Sequence, residues 1–364
     1  MVFSLEVLQA FHGDSLLLHA GDRLCLIDGG PVRTWATSLR PRLEQLRAAR
    51  APGDALRIDL AMVSHIDADH IHGLTDMGAA MVELAEDQQP QPFTIDNLWH
   101  NAFDDILGDR ADDLRTAAFD AAPADHTRSV IASVGQGREL RDQAIRLGWG
   151  RNQPFDGLVA APRTVAFGDA KLTVVCPDAG ALSKLHGSWE SWLARHPEAA
   201  QVAEYADTSV FNLSSIVVLA EAGDQRMLLC GDARGDHVLE GLESAGLMAG
   251  GTLALDLLKL PHHGSIRNVE ADFFERLPAR HYVISADGSH GNPETATLEA
   301  VAASRADDDF TIHLTNHDGR GDLAARLDAF VVARNAAGRR YGIVFRDPAA
   351  LGMRIDLADP PEEP

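Results

Sequence analysis

The sequence predicts an α/β fold, on three observations. Short apolar runs of strand type recur along the chain, segments with helical spacing separate them, and 45% of the 364 residues are hydrophobic, enough for a large buried core. Residues 4–9, 15–19 and 23–28 alternate or run apolar and predict three strands, the first two as a hairpin, the third ending on Gly29-Gly30-Pro31. Leu39, Leu43 and Leu46 give helical spacing over 36–50, and the apolar run at 58–63 reads as a buried strand followed by a helix from about 73 to 84.

From 85 to about 162 the pattern turns acidic and Ala-rich, with helices expected at 111–121 and 130–147, which reads as a helical insertion. Strands return at 171–177, a smaller insertion is expected at about 180–208 with helix near 189–203, and strands at 212–219 and 226–232 flank a hairpin turn at 221–224. Later strands at 257–260, 281–285 and 311–314 alternate with helices at 296–303 and 323–337. The expectation is one domain over 1–350 and an acidic, disordered tail at 351–364.

Composition narrows the function classes. Thirty-two Lys and Arg against 54 Asp and Glu give a net charge of −22, and no Lys/Arg cluster offers the basic face that nucleic-acid affinity requires. The start of the chain lacks a signal-peptide pattern and no apolar run approaches a membrane span, so a cytoplasmic protein without membrane contact is expected. Cys25, Cys176 and Cys230 lie in strand-like apolar runs and read as reduced core residues rather than a disulfide framework.

Three clusters carry chemistry, each at a strand end. The segment SHIDADHIHG at 64–73 packs three histidines and two aspartates into ten residues, a density that points to a metal site for Zn, Mn or Fe. LLCGD at 228–232 delivers one aspartate after a glycine, and a strand-end carboxylate is well placed to bridge two metals. LKLPHHGS at 258–265 offers two adjacent histidines, which should point to different sides: one ligates metal and the other orients water, substrate or a carboxylate.

Together with HGDS at 12–15, LIDGG at 26–30 and NLSSIVVL at 212–219, these motifs resemble the metallo-β-lactamase superfamily, and within it the soluble hydrolase domain of ComEC competence proteins, over about residues 5–320. The resemblance implies a metallo-β-lactamase-like αββα sandwich with helical insertions and two divalent metal ions, Zn or Mn. Carried over by position, it places His65 and Asp67 on the first metal, Asp69 and His70 on the second, Asp232 between them and His263 on the second. Asp67 stands where the superfamily usually has histidine, and this carboxylate shifts preference from Zn toward Mn. The usual third histidine of the first site has no clear counterpart; Asn212 is the candidate, with His186 and His196 as alternatives in the smaller insertion, so the first metal is expected to bind conditionally.

The chemistry expected is that of a phosphodiesterase or nuclease using a metal-activated hydroxide. Asp69 would orient the hydroxide, and Lys259 or His262 would stabilise charge or protonate the leaving group, unless Lys259 only snorkels from its strand. Ser265 could donate to a phosphate oxygen, His290 could touch substrate from a rim loop, and His72 could lie near the second metal, although a structural role is favoured for it. Asp14 and Asp28 either brace the metal loop by hydrogen bonds or are turn aspartates. A small phosphoester or a short single strand suits the acidic surface, and the larger insertion could serve a protein partner. Two other readings remain open: a metal-stabilised regulatory module with weak catalysis, and a hydrolase of thioesters or lactones.

Overall fold

The structure, a computed structural model, describes residues 2–50, 53–102, 125–180, 182, 214–269 and 272–357, of which 125–134 and 268 by backbone alone. Its strands are β1 (Phe3–Leu8), β2 (Leu16–Ala20), β3 (Arg23–Ile27), β4 (Leu56–Ile58), β5 (Leu60–Met62), β6 (Phe93–Ile95), β7 (Asn97–Trp99), β8 (Gly150–Arg151), β9 (Arg163–Phe167), β10 (Ala170–Cys176), β11 (Val217–Ala222), β12 (Gln225–Leu229), β13 (Leu255–Lys259), β14 (Ala279–Ile284), β15 (Thr311–Leu314), β16 (Gly342–Phe345) and β17 (Gly352–Asp356). Its α-helices are α1 (Arg40–Ala48), α2 (Ala68–Glu86), α3 (Asp125–Leu147), α4 (Gly235–Ser244), α5 (Phe273–Arg276), α6 (Thr295–Ser304) and α7 (Leu323–Ala336).

Two sheets form the centre, one in the order β17-β1-β2-β3-β5-β7-β8 and the other β16-β15-β14-β13-β12-β11-β10-β9, with β4 and β6 as a separate pair. Leu16 and Leu18 point at the second sheet and meet Leu172, Val218, Met227 and Leu257. Leu17, between them, faces the other way, toward α1 and α2, as the two-residue period of a strand requires. The outer side of the second sheet packs Leu258 and Tyr282 against Leu239 of α4, Leu298 of α6 and Leu327 of α7. The layers therefore run helix, sheet, sheet, helix, and the expected αββα sandwich is what the chain forms. Each fully buried leucine contributes about 1.5–3 kcal/mol, so these layers hold the fold.

Strand direction positions the functional loops. β3, β5 and β7 run parallel, so the turn after β3 and the segment after β5 emerge at one edge of the first sheet. β12, β13 and β14 are also parallel, and their C-terminal loops carry Asp232, His262, His263 and Ser285. The Ile216 N–H donates to the Ser64 carbonyl at 2.8 Å and ties the two edges together.

Four expectations need correction. The run at 58–63 is two strands, because the Asp59 carboxylate accepts from Arg23 and from the Leu24 N–H and breaks the ladder between β4 and β5. The helix after it begins at Ala68, not near 73, so Asp69 and His70 lie in its first turn. The stretch 85–162 is not a purely helical insertion: β7 and β8 join the first sheet, and α3 packs Leu140 and Ala144 into its outer core. The tail does not begin at 351, because β17 pairs with β1 from Gly352 to Asp356 and buries Ile355 between the sheets. The helices expected at 111–121 and 189–203, and residues 358–364, lie outside the described residues. Among the described residues the three cysteines are free and buried, and no helix is long and apolar enough to cross a membrane.

Candidate metal centre

The site is built outward from two aspartates that never reach its centre. Asp28 ends β3 with a left-handed φ of 59°, and its carboxylate accepts from the Ser64 N–H and Ser64 Oγ–H, each at 2.7 Å, and from His70 Nδ1 at 2.9 Å. It is both a turn residue and a brace. With the Ser64 hydroxyl proton committed to Asp28, the 3.1 Å contact between Ser64 Oγ and His65 Nδ1 requires that nitrogen to donate. His263 Nδ1 likewise donates to the Ser285 carbonyl at 3.0 Å. All three imidazoles thus turn Nε2, the lone-pair atom, inward.

The inward atoms converge. His70 Nε2 lies 3.2 Å from His263 Nε2 and 3.3 Å from Asp232 Oδ1, and His263 Nε2 lies 3.6 Å from that same oxygen and 3.5 Å from Asp69 Oδ2. On the other side of Asp232, Oδ2 is 3.8 Å from His65 Nε2, which is 3.6 Å from Asp67 Oδ2. His262 Nε2 is 3.8 Å from Asp232 Oδ2 as well. Most of these spacings are too long for good hydrogen bonds. They suit donors sharing a cation, since two ligands each about 2.0–2.2 Å from one ion sit about 3–4 Å apart. His65 Nε2 and Asp232 Oδ1 are buried with no hydrogen-bond partner, an arrangement costly unless something cationic satisfies it. Imidazole with carboxylate fits divalent Zn, Mn or Fe.

Asp14, His70, Asp232 and His263 all offer ligand atoms within 4.8 Å of one another. Asp14 nevertheless faces the wrong side of His263: its Oδ1 is 3.5 Å from Nδ1, and its Oδ2 is 2.7 Å from the Lys259 ammonium. A carboxylate already neutralised by lysine is a poor ligand, and Asp69 is better placed to complete that group. Asp14 braces His263.

Electrostatics follow from this crowding. Burial works to raise the carboxyls of Asp69 and Asp232, but His70 and His263 outweigh it and hold both below the ordinary carboxylate range. Burial works to lower the two imidazoles, yet Asp232, aided by Asp28 at His70 and by Asp14 at His263, raises both, His263 to about 10. The metal-free chain therefore favours protonated imidazole at both His70 and His263 at neutral pH. Loading Mn²⁺ at pH 7.5 should expel protons, measurable by titration calorimetry in buffers of different ionisation enthalpy; a buffer-independent enthalpy contradicts it.

The structure brings His65, Asp67, Asp69, His70, Asp232 and His263 to one place. His262 faces Asp232 Oδ2 while His263 faces Oδ1, but both have left-handed φ angles, 49° and 54°, so the turn and not the strand rule for neighbours sets their directions. Lys259, expected to snorkel or to reach the reacting charge, is fully buried and spent on Asp14 and the Leu260 carbonyl. Ser265 donates to Glu294 Oε1 at 3.1 Å instead of facing a phosphate. His72 sits 2.6 Å from the Gln136 amide of α3 and 3.7 Å from Asp76, a structural position. His290 is exposed on its loop, its ring 6.2 Å from that of His12. Asn212, His186 and His196 lie outside the described residues.

Sequence reasoning passed over His12, Ser64 and Ser285. His12 feels the Asp69 and Asp287 carboxylates, but burial is the larger effect and lowers its pKa, leaving a neutral ring. The Ser285 hydroxyl donates to the Gly13 carbonyl at 2.6 Å and locks the first loop onto the second sheet. HGDS was a visible signal for His12; the serines carried none.

No family model matches the chain, and no curated protein matches its sequence. Solved structures similar to it include YhfI from Bacillus subtilis, described as a metallo-β-lactamase fold protein, at 11% identity, covering 97% of this chain and 99% of that one with a TM-score of 0.42. Zn²⁺-bound PqqB from Methylobacterium extorquens is 13% identical, with 97% and 100% covered and a TM-score of 0.42. CmlA, a diiron β-hydroxylase from Streptomyces venezuelae, is 12% identical, with 97% of this chain and 54% of that one covered, also at 0.42. Likeness at this level assigns no substrate and no residue role.

Proposed function

We propose that the chain is a metal-dependent hydrolase acting on a small phosphodiester. The observation that carries this reading is the inward ring of histidine Nε2 and aspartate oxygens around Asp232, buried and without hydrogen-bond partners at His65 Nε2 and Asp232 Oδ1. His65, Asp67, Asp69, His70, Asp232 and His263 would hold divalent ions there, and such ions would supply Lewis acidity and acidify water.

The protein's own groups do the rest. Asp69, a quarter exposed and held as a carboxylate, can accept a hydrogen bond from attacking water and aim it. His12, neutral beside it, and exposed His290 can donate to phosphate oxygens or to the departing alkoxide. Asp232, with one oxygen toward His65 and the other toward His70, would let a pair of ions support an in-line phosphoryl displacement. The charge of −22 favours a compact substrate, because a long polyanion would meet repulsion before it met the site.

Mn²⁺-loaded protein should hydrolyse a bis-aryl phosphate, and Asp69→Ala should lower turnover at least about 100-fold while the metal-free form still melts cooperatively as a folded chain. Full activity after exhaustive chelation, or in the variant, contradicts the reading. Turnover confined to thioesters or lactones would replace it with the acyl one.

A further inference from the structure

We propose that His262 supplies a second imidazole to the first cation position, that of His65 and Asp67, so that the adjacent pair His262 and His263 is divided between the two positions. This rests on the metal-centre reading above. The geometry is symmetrical about Asp232. Its Oδ1 faces His70 Nε2 at 3.3 Å and His263 Nε2 at 3.6 Å; its Oδ2 faces His65 Nε2 and His262 Nε2, both at 3.8 Å. Asp69 borders the Oδ1 group at 3.5 Å from His263, and Asp67 borders the Oδ2 group at 3.6 Å from His65. Each position then has two imidazoles, one aspartate of its own and one oxygen of Asp232.

Two features show that His262 is held for this. Left-handed φ is uncommon for a residue with a β-carbon, and two such residues in succession persist only where the surroundings enforce them. The enforcement is visible: the His262 N–H donates to the Gly231 carbonyl at 3.1 Å, its carbonyl accepts from the Asn292 amide at 3.2 Å, and the Ser265 N–H returns to that carbonyl at 3.0 Å. Independently, the buried His65 Nε2 has no hydrogen-bond partner and points at the same Asp232 oxygen. With His262 included, the two positions are matched in donor type among the described residues. Matched mixed N/O sets should take the same class of ion, Mn²⁺, Fe²⁺ or Zn²⁺, with similar affinity.

The test is Mn²⁺ binding by the full chain, counted by calorimetry and elemental analysis, with electron paramagnetic resonance to separate a coupled pair from an isolated ion. His262→Asn removes the imidazole while keeping a residue that tolerates left-handed φ. The expected result is two ions per wild-type chain with a coupled signal, and one isolated ion in the variant, the other affinity falling at least about 100-fold. Asp67→Asn should weaken that same ion. Melting of both metal-free variants checks folding. Two ions at unchanged affinity in His262→Asn, or a single ion in the wild type, overturns the assignment of His262; no ion in the wild type overturns the metal-centre reading itself.

Discussion

Asp232→Ala should cost more activity than any other single change, lowering turnover at least about a thousandfold. Even outer partners of metal ligands are worth about 10–100-fold, and Asp232 faces His65 with one oxygen and His70 with the other. Losing it should weaken both cation positions together, so elemental analysis should find fewer than one ion per chain. The fold should survive, because Asp232 lies on a loop beyond β12 and its neighbours in the layers are unaffected. Asp232→Asn, which keeps one strong acceptor, should retain more metal than the alanine variant. An alanine variant that keeps two ions and normal turnover contradicts the central place given to this residue.

The largest effect on stability should come from Lys259→Met. Lys259 and Asp14 are 0% and 1% exposed and 2.7 Å apart, so removing one partner strands a charge in the interior. Such a loss costs about 3–5 kcal/mol, readable as a drop in the urea midpoint of the metal-free chain. The double variant Asp14→Asn with Lys259→Met should recover most of that loss, since a buried pair replaced whole is often close to neutral. Its activity should stay about 10–100-fold down, because His263 keeps the Ser285 carbonyl but loses the carboxylate behind it. If the single variant unfolds at the wild-type midpoint, the pair is not what holds this corner. The same pair makes acid the weak side of the protein. Although burial alone would raise the Asp14 carboxyl, Lys259 and His263 depress it, so its contribution is complete above about pH 4 and lost as pH falls further.

Much of the site was legible before any fold was known. His65, Asp67, Asp69 and His70 stand within six residues, and Asp232 and His263 follow apolar strands, so ligand type and strand-end position were both written locally. Local signals also placed most strands of the second sheet, from their apolar runs. They failed where a side chain chose a distant partner. Lys259 reads as a free cation until Asp14, about 245 positions away in sequence, is brought beside it. Ser265 reads as a phosphate donor until Glu294 accepts its hydrogen bond. Strand β17 reads as tail because its five residues have no partner in sequence; β1 supplies one from the opposite end of the chain.

The sequence by itself determined which atoms could bind a cation and that strands would deliver them, because residue chemistry and the two-residue strand period are local properties. The tertiary structure alone decided which nitrogen of each ring faces inward, that Asp14 braces while Asp69 lines the centre, and that His262 shares the side of Asp232 that His65 occupies. Those choices depend on hydrogen-bond partners drawn from loops at the ends of parallel strands in two different sheets, and only folding brings those ends to one place.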